Sequence, residues 1–129
     1  MTCIDVIPEL TVEDVSRSID FYCSRLGFTE AARAPEDGVP VWAEVKNQDA
    51  RIMFQRRAEM FLEIPSLAGT TLGGAAVIVL QVSVDDARRF AASASGGLEV
   101  VLPVRETEYG TVEIGVKDPD GYVVLISGR

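Results

Sequence analysis

Apolar positions along the chain follow two periods, and they alternate in a regular order. Ile4 to Val12 reads as an extended segment. From Asp14 to Arg25, Val15, Ile19 and Tyr22, with Leu26 just beyond, fall three or four residues apart and form one apolar helical face. Thr11-Val-Glu-Asp14 reads as a capping box with Asp at its fourth position, and Gly27 stands where helices commonly end in a left-handed residue. Three strands follow at Phe28 to Ala34, Val39 to Val45 and Ala50 to Gln55. They are separated by the turns Pro35-Glu-Asp-Gly38 and Asn47-Gln-Asp49. The order is βαβββ.

The pattern then restarts. Ala76 to Val82 is a β-branched run, Ser83-Val-Asp-Asp86 repeats the cap, and Ala87, Phe90, Ala91 and Ala94 form a second helical stripe closed by Gly96-Gly97. Leu98 to Val104, Thr111 to Val116 and Tyr122 to Ser127 supply three further strands, with Asp118-Pro-Asp-Gly121 as the last turn. A shift of 72 residues lays Val12 on Val84, Asp14 on Asp86, Arg17 on Arg89, Leu26 on Leu98, Arg33 on Arg105, Glu36 on Glu108 and Gly38 on Gly110. Caps, helices and turns recurring in one order point to an internal duplication. The expected fold is α+β, two tandem βαβββ modules in one domain spanning 1–129. Module one covers 1–57, a connector 58–72 with a short helical piece from Glu59 to Leu67 ending near Pro65, and module two 73–129.

Composition narrows the chemistry. The 129 residues contain no histidine, which removes Ser-His-Asp and Cys-His nucleophiles and every imidazole metal site. With 12 basic and 20 acidic side chains the net charge is −8, which opposes a polyanion such as nucleic acid and favours a neutral or cationic ligand, although acidity also serves solubility. No apolar run is long enough to span a bilayer, and Met1-Thr-Cys-Ile-Asp lacks the basic and apolar regions of a leader, so a cytoplasmic location is expected. Cys3 and Cys23 read as two reduced thiols.

Val12-Glu-Asp14, Ser18-Ile-Asp-Phe-Tyr22 and Leu26-Gly-Phe28, followed by Tyr109-Gly110 and Asp118-Pro-Asp-Gly-Tyr122, resemble the vicinal oxygen chelate superfamily. That group includes glyoxalase I, extradiol dioxygenases, fosfomycin-resistance enzymes and bleomycin-resistance proteins. The resemblance covers essentially the whole chain. It implies paired modules whose mixed sheets curl around a pocket, and commonly a homodimer. The residues of the motifs themselves read as structural: Phe21 and Tyr22 as core aromatics, the aspartates of the last turn as turn hydrogen-bonders.

Metal-dependent members carry one ligand on the first strand and one on the last strand of each module, usually His and Glu. By the motif spacings these positions are Ile7, Met53, Val79 and Leu125, all apolar, and none of their immediate neighbours is a ligand either. The resemblance therefore implies the metal-free, bleomycin-resistance-like branch, with no cofactor. Strand alternation puts Ile7 and Glu9, then Arg51, Met53 and Gln55, then Val77, Val79 and Gln81, and finally Val123, Leu125 and Ser127 on the ligand face. Leu10, Ile52, Phe54, Leu80, Val82, Val124 and Ile126 should pack against the helices.

Trp42, the only tryptophan, is the candidate to stack on a planar ligand, with Glu44 on the same face available for a cation. The flanking apolar residues turn Trp42 toward the pocket, whereas the repeat sets it opposite Ile114. Tyr109 completes the candidate ligand contacts. The leading expectation is a metal-free protein that binds a small planar molecule, neutral or cationic, such as an antibiotic, and not an enzyme. The alternatives are a metal-free lyase or isomerase using Glu9 or Glu44 as base, and a regulatory or interaction module with no open pocket.

Overall fold

The computed structural model describes residues 1–129, which divide into two compact units, Met1–Thr70 and Thr71–Arg129. In the first, β1 (Glu9–Val12) leads into helix α1 (Val15–Leu26), then β2 (Thr29–Ala34), β3 (Trp42–Asn47) and β4 (Ala50–Arg56). The sheet order is β1-β4-β3-β2; the β1–β4 pair is parallel and the other pairs are antiparallel. Helix α2 (Arg57–Glu63) packs on β4 and β1, and a 3-10 turn at Pro65–Leu67 follows it. The second unit has β5 (Val77–Val82), α3 (Val84–Arg89) widening into a π-helical turn at Phe90–Ala94, then β6 (Val100–Glu106), β7 (Val112–Lys117) and β8 (Val123–Gly128). Its sheet order, β5-β8-β7-β6, repeats the first with the same single parallel pair. The α+β fold with two βαβββ units is as the sequence pattern indicates.

Local chemistry explains the first helix. The Asp14 carboxylate accepts a hydrogen bond from the Arg17 backbone N–H at 3.1 Å, and Gly27, at φ 77°, turns the chain out of the helix. Its buried side chains, Val15, Ser18, Ile19 and Tyr22, meet the sheet face that carries Leu10, Val12, Ala43, Val45, Ile52 and Phe54, all buried. Tyr22 is the centre of this core, with ring centroids 5.1 Å from Phe54, 5.9 Å from Phe28 and 5.3 Å from Phe21. The core reading of the helix aromatics thus holds for Tyr22, while Phe21 stays half-buried at its rim.

In the second unit the shorter helix lies very close to the sheet. A Cβ on Gly128 would sit 2.7 Å from the Ala87 Cβ and 2.9 Å from the Ser83 carbonyl oxygen, so only glycine fits beneath α3. The Asp118–Gly121 turn is as the sequence reading had it. The buried Asp118 accepts from the backbone N–H groups of Asp120 and Tyr122, both at 2.9 Å.

Several boundaries differ from the sequence reading. Only Glu9–Val12 of the extended N-terminal segment joins a ladder, and β3 begins at Trp42, leaving Val39 exposed before it. The N-cap of α1 is Asp14, whereas that of α3 is Ser83, whose Oγ accepts from the Asp86 N–H at 3.1 Å. The position of Ser83 at its helix start thus corresponds to that of Asp14 and not to that of Thr11.

The offset between units is not uniform either. Met53 pairs with Glu9, whereas Leu125 pairs with Val79, an offset of 72 in the last strand and 70 in the first. Glu44 pairs with Met53 as Gly115 pairs with Leu125, an offset of 71 in the third. The chain from Gly115 to Leu125 is one residue longer than that from Glu44 to Met53, and a one-residue slip exchanges the two faces of a strand.

Replacing Phe54 with Ala removes the ring that Tyr22 packs on and should cost about 3–5 kcal/mol. Urea unfolding would show this as a lower midpoint at unchanged slope; a loss below about 1 kcal/mol would contradict this description of the core.

Candidate functional site

Because α1 covers one face of the first sheet, the residues of opposite parity form a second, open face. Ladder partners in an antiparallel pair project to the same side, so Trp42 lies beside Gln55, and Glu44 beside Met53. The parallel pair adds Thr11 next to Gln55 and Glu9 next to Met53. On the other flank, β2 contributes only Ala34 next to Trp42 and Ala32 next to Glu44. The result is two rungs, Thr11-Gln55-Trp42-Ala34 and Glu9-Met53-Glu44-Ala32. Trp42 is half-buried there and does not enter the helix-packed core. Its counterpart in the second unit is Glu113, which pairs with Ser127 as Trp42 pairs with Gln55, and not Ile114.

The electrostatics of this face differ from the sequence expectation at Glu44. Its carboxylate, with the side chain 12% exposed, is held by Arg51 at 2.7 Å, and Arg51 also reaches Asp5 at 3.0 Å. A cation would have to displace the guanidinium, so Glu44 is not available as a free anionic contact. The signal was present in the sequence: a two-residue turn between Asn47 and Ala50 sets Arg51 diagonally across from Glu44. Glu9 is different. Burial in the first place, and the nearby Glu63 carboxylate in the second, push its carboxyl above the usual range.

The open face of the second unit is more apolar. Val79, 51% exposed, pairs with Leu125, Gln81 with the buried Ser127, and Gly115 lies on the other side of Leu125. Its one anionic group, Glu113, is likewise neutralised, by Arg105 at 2.9 Å, with Ser127 donating to it at 3.4 Å. Tyr109 is 84% exposed in the connection between β6 and β7 and lies off the sheet face. Ile7 stands in the irregular segment before β1.

The family model for the Glyoxalase/Bleomycin resistance protein/Dioxygenase superfamily matches residues 4–126. The chain belongs to this superfamily. An uncharacterized protein of Mycobacterium bovis is 27% identical over 116 residues, which make up 89% of this chain and 76% of that protein. TioX from Micromonospora sp. ML1 shares the fold with a TM-score of 0.74 at 21% identity, over 97% of this chain and 95% of that one. The bleomycin-binding protein of Streptomyces verticillus, solved with copper(II)-bleomycin, has a TM-score of 0.64 at 20% identity, covering 100% of this chain and 98% of that one.

Superfamily membership makes the metal positions a sharp question. The first-strand position across from Met53 is held by Glu9, not by Ile7, because β1 is offset by two residues relative to β5. The donor set is then one carboxylate and one thioether in the first unit, and two hydrocarbons, Val79 and Leu125, in the second. Neither pair fits a divalent ion of the Ni, Zn, Fe or Mn type, which needs several oxygen, nitrogen or thiolate donors. No three His, Cys, Asp or Glu side chains converge elsewhere to replace them. Both cysteines are free thiols, and no helix is long and apolar enough to cross a membrane.

An acid whose carboxyl is raised in the fold adds stability that is complete below the ordinary carboxylate range and is lost as pH climbs through the raised value. Glu9→Gln should therefore raise Tm at pH 7, with the gain vanishing below about pH 4. Thermal unfolding of both proteins across that range checks this; a difference independent of pH would contradict the account of Glu9.

Proposed function

We propose that this chain is a metal-independent binding protein for a small planar molecule, which lies on the open face of the first sheet against Trp42. The observation that carries this reading is the content of the rung pair. A half-buried indole, a thioether and a carboxamide occupy a face with no competent metal-donor set, and two alanines leave its β2 side low. Apolar surface with a few polar groups is the usual makeup of a small-molecule site. The likeness in fold to a bleomycin-binding protein supports an antibiotic or a comparable natural product as the ligand class. The exposed valines of β5, Val77 and Val79, are consistent with a homodimer. Since Glu44 and Glu113 are both paired with arginine, planarity is a stronger selector than positive charge.

The raised carboxyl of Glu9 favours a second reading, a metal-free lyase or isomerase in which Glu9 takes a proton from the bound molecule. Under it, Glu9→Gln abolishes turnover and leaves binding measurable.

The primary reading predicts that protein purified from metal-supplemented medium contains far less than one equivalent of Ni, Zn, Fe or Mn by elemental analysis. In a thermal-shift screen of planar natural products, at least one ligand should stabilise the protein, and Trp42→Ala should weaken that ligand about tenfold or more. Stoichiometric metal, or a ligand indifferent to Trp42→Ala, would contradict it.

A further inference from the structure

Gln55 stands apart among the polar groups of the first unit. The residue is 8% exposed, on the open face between Thr11 and Trp42, yet its carboxamide enters no hydrogen bond with another part of the protein. Its atoms are not sealed off, since no fully buried side-chain nitrogen or oxygen lacks a partner. The amide therefore keeps a narrow opening on the face that the indole occupies. Burying a primary amide to this degree without a partner is costly, and partnered amides are the rule for such positions. The neighbouring polar groups do not compete for it: Glu44 is occupied by Arg51, and Glu9 lies one rung away beside Met53.

We propose that Gln55 is the specificity residue of this site, reading the edge of a neutral, planar ligand group that carries a hydrogen-bond donor and acceptor side by side, as in a lactam or cyclic imide. The proposal rests on the small-molecule reading above and names the ligand class for it. A carboxamide presents one N–H donor and one C=O acceptor in a plane, and so pairs in two-point fashion with a cis-amide edge. Trp42, as the ladder partner of Gln55, has its Cβ about 4.5–5.5 Å away. A ring resting on the indole thus brings its edge to the amide. A site built around such a pair rejects an analogue that lacks the donor, because the buried amide is then left unpaired.

The test uses three bicyclic probes of nearly equal size: 1-isoquinolinone, its N-methyl derivative, and the N-methylisoquinolinium cation. Each is titrated into the ¹⁵N-labelled full chain, following the Gln55 side-chain amide and the single indole N–H resonance of Trp42. The proposal expects 1-isoquinolinone to shift both signals and to bind about tenfold or more tightly than either other probe. Gln55→Leu should remove that preference while all three still shift the indole. Gln55→Glu, which keeps the shape and removes the donor, should lose it as well if the variant is folded by its backbone spectrum. Equal binding of the lactam and its N-methyl derivative, or tighter binding of the cation, would overturn the role of Gln55 and leave the stacking site on Trp42 intact. If no probe moves the indole resonance, both the role and the underlying site are wrong.

Discussion

The constraint on which the rest of this structure depends is the packing of Tyr22 against Phe54. Side chains alternate along a strand, so burying Phe54 under helix α1 commits Met53 and Gln55 to the opposite side of β4. The ladders then carry that choice outward. Glu9 and Thr11 follow on β1, Glu44 and Trp42 on β3, Ala32 and Ala34 on β2. One aromatic contact in the core thereby decides which residues line the open face. The second unit applies the same rule with a thinner helix and a glycine, Gly128, beneath it, and its open face is mostly valine and leucine.

The chemical character of the first open face follows from which charges are already satisfied. Arg51 bridges Glu44 and Asp5, and Arg105 holds Glu113, so two carboxylates that look free in the sequence are each bound to a guanidinium. Partly exposed pairs of this kind contribute modestly to stability, on the order of 1 kcal/mol or less. Their larger effect is on the make-up of the face: they take up Glu44 and Glu113 and leave an indole, a thioether, one unsatisfied amide and the Glu9 carboxyl. With Glu9 the only carboxylate at a first- or last-strand metal position, the superfamily's metal chemistry has no donor set to work from.

Much of this was legible from the residues alone. Helix α1 declares itself through Val15, Ile19 and Tyr22 and through Gly27, and both turns around Asp49 and Asp118 carry their own side-chain or backbone signals. The duplication and the family were legible from motif order. The residue correspondences between units were less so, because a duplication tolerates one-residue changes in turns, and each such change exchanges faces downstream. The offset of 72 holds for β4 and β8, yet it sent Trp42 to Ile114 when its true counterpart is Glu113. The same drift assigned Ile7 a position that Glu9 holds. Ion pairs were the other gap: the diagonal between Glu44 and Arg51 is written in the hairpin register, which strand propensity alone does not express. Gln55 was visible as a face residue by parity, but its isolation from every partner is a property of the folded chain.

The central claim is that the Met53 side of β4 is open to a ligand while the Phe54 side is closed, and single-cysteine labelling tests it most directly. In a Cys3→Ser, Cys23→Ser background, a cysteine introduced by Met53→Cys should react with a small maleimide in the native protein and be protected by a bound ligand. One introduced by Phe54→Cys should react only on unfolding. Native labelling at 54 with protection at 53 in the absence of any ligand would reverse the faces and contradict the account.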